Sequence, residues 1–211
     1  MDVIQALKER RSINFFDSGR IIPDDTVNEL ISIANLTPSS FNLQPWEVIV
    51  VKSPDRKQAL RKCAFNQPKV EEASIVLIII ANPNAVEENL DRVVESMIEK
   101  GYIKPEAVET VRKMPYNLYD KKDTLKRKLF AVKNTAFFGM SLMAAARGLG
   151  LESHAMDGFD EAMVKKEFDI PEDRIIPLLL AVGYPVKDLK LLPRAYRRDL
   201  KDFSFTDRYG R

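Results

Sequence analysis

Arg10, Arg11 and Ser12 stand in a row, and Ser39, Ser40, Asn42 and Gln44 crowd between Pro38 and Trp46. Two more polar sets follow: Asn66 with Lys69, and Arg197 with Arg198 near the end of the chain. Three of the four sets offer cations beside uncharged donors. Guanidinium forks match phosphate oxygens. Carboxamides both donate and accept, so Asn42 or Gln44 suits a ring edge presenting C=O and N–H together. A heterocycle alone needs no pair of cations, and a phosphate alone needs no row of amides. The combination points to a nucleotide. Each set also has an ordinary reading, because paired arginines are commonly solvated and Ser-Ser-x-Asn is a common turn.

Other chemistries are excluded by count. The chain has one cysteine, Cys63, and one histidine, His154. No intrachain disulfide is possible, and no Cys/His zinc site can be assembled within one chain. A hydrolase triad would have to use His154, at the end of a short apolar segment, and no G-x-S-x-G pattern occurs. Neither G-x-G-x-x-G nor a Walker sequence is present, so a Rossmann nicotinamide site and a P-loop are both excluded. If the protein is an enzyme, an organic cofactor supplies the hard chemistry.

The formal net charge is only +2, with bases and acids interspersed, which predicts no nucleic-acid partner. The longest apolar run, residues 75–81, is strand-sized, so no membrane span is expected. Residues 1–10 are charged and lack the apolar core of a signal peptide, which makes the cytoplasm the expected location. A length of 211 residues, 45% of them hydrophobic, allows one substantial core over 1–211.

Elements must position these groups. Val3, Ile4 and Leu7 predict a helix over 2–10, ending at the first arginine pair. Pro23-Asp-Asp25 opens a second helix with Val27, Leu30, Ile31 and Ala34 as its stripe. Residues 47–51 read as a buried strand. Ser53-Pro54 starts a helix to about residue 63. Residues 66–69 read as a loop, and 74–81, the most apolar strand, should be central. Residues 85–130 are charged and helical in pattern, either a lid over the main core or a solvated helical pair. A long helix over 131–147, rich in Phe137, Met140, Leu142, Met143 and Ala144, should be buried on most sides. A strand over 151–156, a helix capped by Asp160 and a strand over 175–182 follow. Residues 193–211 form a charged arm with little to bury alone. Together these predict one sheet covered by helices.

The ordered strings Arg10-Arg11-Ser12, Pro38-Ser-Ser-Phe-Asn-Leu-Gln-Pro-Trp46, Gly148-Leu-Gly150, Met156-Asp-Gly-Phe-Asp160 and Pro177-Leu-Leu-Leu-Ala-Val-Gly-Tyr-Pro185 resemble the FMN-dependent nitroreductase family over nearly the whole chain. The resemblance implies an α+β, three-layer α/β/α fold with a mainly antiparallel sheet, a domain-swapped homodimer, and one tightly bound FMN per subunit at the interface. It implies ping-pong turnover, with NADH or NADPH as transient donor and nitroaromatics, quinones or similar acceptors. By carry-over, Arg10, Arg11 and Ser12 would hold the phosphate and ribityl chain, with Arg197 or Arg198 completing the clamp. Pro38, Ser39, Ser40, Phe41, Asn42 and Gln44 would bracket the flavin, partly from the neighbouring subunit. Asn66 and Lys69 would approach the pyrimidine ring, and the backbone N–H of Gly158, next to Met156 and Asp157, would face N5. Phe41, Tyr116 and Tyr119 are the expected substrate contacts. The arm 193–211 would lie on the partner.

Two departures matter. Asn14 stands where the family usually places Arg or Lys, which removes one positive charge near the flavin. Phe41 replaces a small polar residue; it either lines the substrate pocket or packs on the partner chain. The same pocket could instead serve enone reduction, dehalogenation or flavin breakdown. A non-catalytic FMN-binding module is the reading from a different class.

Overall fold

The structure, a computed structural model, describes residues 2–210; Met1 and Arg211, the two ends of the expected domain and arm, lie outside the described residues. Four strands form one sheet: β1 (Trp46–Val51), β2 (Ile75–Ala81), β3 (Glu152–Met156) and β4 (Ile175–Gly183). Their order is β1-β2-β4-β3, and every neighbouring pair is antiparallel. Apolar at every position, β2 is buried along its whole length and takes an inner place, as its composition predicts.

Side chains alternate across β2 and so build two cores. Val76, Ile78 and Ile80 join Leu60 of α3 (Pro54–Cys63), Val70 of α4 (Lys69–Glu72) and Val164 of α8 (Glu161–Glu167) on one face. Ile75, Leu77 and Ile79 join Val27 and Leu30 of α2 (Asp24–Ala34) and Phe138 and Leu142 of α7 (Leu125–Gly148) on the other. The result is a three-layer α/β/α sandwich around an antiparallel sheet, which makes it α+β. The helix starts follow local chemistry. Asp2 accepts from the Gln5 amide at 2.8 Å to open α1 (Val3–Glu9), and Asp160 accepts from the Met163 amide at 3.0 Å to open α8.

Three details differ from the sequence reading. First, α7 begins at Leu125 rather than 131, because Thr124 caps it and Arg127 is drawn inside. Arg127 is fully buried, donating to Glu87 at 2.6 Å and to the Asp120 carbonyl at 2.8 Å. Second, Phe137 and Met140 are not buried; they remain 49% and 37% exposed on the outer face of α7. Third, Lys69 is not in a loop but opens α4.

The charged segment forms α5 (Ala85–Glu99) and α6 (Val108–Tyr119), joined through a short 3₁₀ turn at Pro105–Ala107. It is not merely solvated. Val86, Leu90, Val94 and Tyr119 build a third core with Leu43, Ala81 and Phe130 at one end of the sheet. By length and composition α7 could cross a membrane, but its inner face packs on all four strands.

Candidate functional site

One group of polar residues collects along β3, an edge of the sheet. Ser12 bridges Ser153, and the Ile13 amide donates to the Ser153 carbonyl at 3.2 Å. Ile13 is buried, so its side chain pins the segment that carries Arg10, Arg11 and Ser12. Arg11 donates to the Leu192 carbonyl at 3.1 Å. Among the described residues the Arg10 guanidinium has no hydrogen-bond or ion-pair partner, so its donors remain available. Asn14 is exposed just beyond.

The turn after α3 comes to the same edge. Phe65 and Asn66 both take left-handed conformations, at φ 50° and 58°, which reverse the chain tightly. Gln67 then donates to the Gly158 carbonyl at 2.7 Å and to the Ala64 carbonyl at 3.2 Å. The Asp160 amide donates to the Cys63 carbonyl at 2.8 Å, so the loop after β3 is moored to the end of α3. The Lys69 ammonium lies 3.3 Å from Gln67 Oε1 and 3.5 Å from His154 Nε2. His154 Nδ1 is 3.0 Å from the Ile13 carbonyl oxygen. Burial pushes the Lys69 pKa down; burial, then the Lys69 charge, pushes His154 down. The Met156 side chain is buried in the core, and Asp157 points to solvent beside Gly158.

A second group forms at the opposite edge, in the loop leading into β1. Phe41, Asn42 and Gln44 have φ of 54°, 54° and 46°, conformations that cost on the order of 1–3 kcal/mol each for such residues. Surrounding contacts hold them there. The Ser40 amide donates to Asn134 Oδ1 at 3.0 Å, and the Tyr119 hydroxyl donates to Ser40 Oγ at 2.6 Å. Thr135 Oγ1 donates to the Pro45 carbonyl at 2.9 Å, and the Gln44 amide donates to Ser39 Oγ at 2.9 Å. Gln44 Nε2 donates to the Asn42 carbonyl at 3.0 Å. Trp46 stacks on Phe138 with centroids 5.2 Å apart and donates to Asn35 Oδ1 at 3.0 Å, anchoring the loop to the sheet. Pro38 is exposed at the loop's start.

Phe41 and Asn42 also line a cavity of about 490 Å³ with Leu90, Val94, Met97 and Met114 of the helical excursion. Within its own chain Phe41 stands edge-on to Tyr119 at 6.1 Å. Neither Tyr116 nor Tyr119 lines this cavity. Tyr119 sits behind the loop, 8% exposed and against Phe130, whereas Tyr116 is 42% exposed.

Within one chain the two groups stay apart. The loop enters β1 at Trp46, while Ser12 meets β3 at Ser153, on the far side of β2 and β4. Three interstrand spacings separate those edges by roughly 14 Å. The register adds an offset along the strands, since Ser153 aligns with Val182, Ile75 and thence the Val51 end of β1. The arm starts beside the first group, where Arg194 donates to the Lys8 carbonyl at 2.5 Å and the Arg10 carbonyl at 3.3 Å. Further on, among the described residues Arg197 donates only to the Tyr196 carbonyl, and Arg198 lies 5.1 Å over the Phe203 ring.

Sequence reasoning missed Gln67, His154, Asn134 and Thr135 as parts of this architecture. A signal existed for two of them: Asn134 and Thr135 are adjacent polar residues inside a long helix rich in apolar residues, and both are buried. His154 and Gln67 carried none, because their partners come from distant segments.

Comparison with known proteins gives concordant results. The family model described as the Nitroreductase family matches residues 7–184. A Thermus thermophilus protein named NADH dehydrogenase is 31% identical over 188 residues, covering 89% of this chain and 89% of that protein. A Lactiplantibacillus plantarum protein named CLA biosynthesis enone reductase is 26% identical over 185 residues, covering 86% of this chain and 85% of that one. The crystal structure of an Exiguobacterium sibiricum protein assigned as a nitroreductase, solved in complex with FMN, superposes with a TM-score of 0.87 at 26% identity, covering 97% of each chain.

Proposed function

Because this chain belongs to the nitroreductase family, we propose that it is an FMN-dependent oxidoreductase carrying electrons from NADH or NADPH to nitroaromatics, quinones or similar acceptors. When bound, FMN supplies the hydride and electron chemistry that the chain's own side chains lack. The residues present fit that group. Arg10, Arg11 and Ser12 bring two guanidiniums and a hydroxyl to one edge, a donor set for a phosphate ester and its sugar chain. Lys69, with Asn66 nearby, brings a fixed cation for the ring end that gains negative charge on reduction. A Cβ on Gly158 would come within 3.1 Å of Gln67 Nε2, so a bare glycine lets that backbone sit close and keep its amide for the ring.

One observation carries the reading: the two polar groups occupy opposite edges of one sheet, so a single chain cannot close both around one ligand. Two copies can. The working unit is then a homodimer, with Pro38 to Gln44 of one chain facing Arg10–Ser12, Lys69 and Gly158 of the other. The arm 193–211 crosses to the partner, and Arg197 or Arg198 completes the phosphate clamp. Exposed apolar side chains support a covered face: Val3 and Ile4 of α1, Leu36 after α2, and Phe137 and Met140 of α7. Donor and acceptor use the pocket in turn, and the helices α5 and α6 shape the acceptor space.

The L. plantarum relative and the apolar lining of the Phe41 cavity favour a second reading, enone reduction. Purified protein tests both. Flavin absorbance that NADH or NADPH bleaches without oxygen supports the reading, and an acceptor panel then separates nitro, quinone and enone substrates. Parallel initial-rate plots are expected for alternating use of one pocket. Colourless protein that takes up no FMN on reconstitution defeats the reading. Yellow protein that neither nicotinamide bleaches leaves only an FMN-binding module.

A further inference from the structure

We infer that His154 is a positioning residue: its imidazole, locked in one tautomer by the Ile13 carbonyl, aims the Lys69 ammonium into the site. What Lys69 is aimed at rests on the FMN reading above; the contact itself does not.

The tautomer follows from bonding rules. A carbonyl oxygen only accepts, so at 3.0 Å from Ile13 O the Nδ1 atom must carry the hydrogen. In a neutral imidazole that leaves Nε2 with a lone pair, and Nε2 faces the Lys69 ammonium at 3.5 Å. Gln67 is fixed in the same way. Its amide nitrogen donates to the carbonyls of Gly158 and Ala64, so its oxygen is left to accept from Lys69 at 3.3 Å. Two acceptors therefore take two of the three ammonium hydrogens. Among the described residues the third has no partner, which leaves it for a ligand.

The arrangement ties the cation to both walls of the site. One acceptor is oriented by the backbone of Ile13, next to Ser12, and the other by the backbone of Gly158. A shift in either wall moves Lys69 with it. A freely rotating lysine would have rotamer entropy to lose on each encounter, and the two acceptors remove part of that freedom beforehand.

The lock works only while His154 is neutral, since protonated Nε2 would present a hydrogen to the ammonium. The charged groups facing the ring are Lys69 from α4 and Arg10 from the N-terminal segment, and both oppose protonation. On its own strand Glu152 is held by Arg147 at 2.7 Å and does not offset them.

The test compares two variants of the FMN-loaded protein. His154→Asn keeps an N–H for the Ile13 carbonyl but brings no acceptor to Lys69. His154→Gln restores an acceptor near the Nε2 position. The expected result is a roughly tenfold loss of preference for the reduced over the oxidised cofactor in His154→Asn, read as a midpoint potential lower by about 30 mV for a two-electron couple. Recovery is expected in His154→Gln, and no further change when His154→Asn is added to Lys69→Met. An unchanged potential in His154→Asn, or an equal drop in the Lys69→Met background, overturns the inference. Nitrogen NMR of the histidine ring supplies a readout without cofactor. The Nδ1–H tautomer, with an Nε2 signal that moves in Lys69→Met, supports the contact; the Nε2–H tautomer overturns it. Protein that binds no FMN yet shows the predicted ring signals would sink the flavin reading and leave the His154–Lys69 contact standing.

Discussion

The Tyr119 hydroxyl donates to Ser40 Oγ at 2.6 Å, joining the end of α6 to the loop before β1. With Asn134 accepting from the Ser40 amide, the bond clamps the residue just before the backbone turns left-handed at Phe41. A strained loop persists only where its surroundings over-determine it. The helical excursion is thus more than a cover, because it holds the loop proposed to embrace the cofactor.

Removing that hydroxyl tests the clamp. Tyr119→Phe keeps the ring against Phe130 and should cost about 1 kcal/mol, the net worth of one hydrogen bond. FMN affinity should fall by more than stability alone explains, because the loop loses its preset shape. Urea unfolding and fluorescence titration measure the two effects. Unaltered FMN affinity would mean that the clamp serves folding alone.

Arg127 anchors the excursion differently. Its side chain is fully buried, while Glu87, its ionic partner, is 36% exposed. Glu87→Ala should destabilise by about 2–4 kcal/mol, because it leaves a buried charge without its counter-ion. Adding Arg127→Met should recover most of that loss, since an apolar side chain needs no partner there. Denaturant midpoints of the single and double variants decide it; a double variant weaker than the single one contradicts the argument.

Asn14 offers a probe of the proposed cofactor's surroundings. If the flavin lies beside Ser12 and Lys69, Asn14→Lys adds a cation and should raise the midpoint potential of the bound cofactor. Spectroelectrochemical titration of both proteins measures the shift. No upward movement would remove Asn14 from the cofactor's surroundings.

Stability should carry a signature of His154. Burial, then the Lys69 charge, holds its pKa below the ordinary 6.5. As pH falls below 6.5 the unfolded chain takes up a proton that the folded chain refuses, so stability falls on acidification from 6.5 towards the folded value. Unfolding at about pH 7.5 and about pH 5.5 should show a larger loss in wild type than in His154→Gln. Glu152, whose carboxyl burial pushes up, acts with the opposite sign but is common to both proteins. Equal losses would show that the imidazole protonates freely in the folded state.

The arm can be cut. Truncation at residue 194 removes the Arg194 contacts to the Lys8 and Arg10 carbonyls, and it deletes Arg197 and Arg198. FMN retention and dimer strength should both decline, by gel filtration of the loaded protein and by sedimentation. A truncated protein that keeps both would return the arm to the status of a solvated tail.

Much of the fold was legible because its signals are local. The all-apolar run of β2, the Asp160 cap and the Val27–Leu30–Ala34 stripe each state their structure within a few residues. The order of chemical groups, Arg10-Arg11-Ser12 and then Ser39 to Gln44, was likewise written in the chain, and with it the family. The start of α7 was misread because Arg127 looks like a surface residue until Glu87 and the Asp120 carbonyl are brought to it. Phe137 and Met140 were misplaced because an apolar side chain does not say whether its own core or another surface covers it.

Composition and spacing alone narrowed the class of chemistry: one cysteine and one histidine rule out a Cys/His zinc site within one chain and leave a triad only His154, and the missing fingerprint rules out a Rossmann site. Only the tertiary structure decided that His154 and Gln67 converge on Lys69, and that the loop and the arginines lie on opposite edges of the sheet. Those relations depend on strand order and register, which arise from contacts between residues far apart in the chain, and no local pattern encodes them.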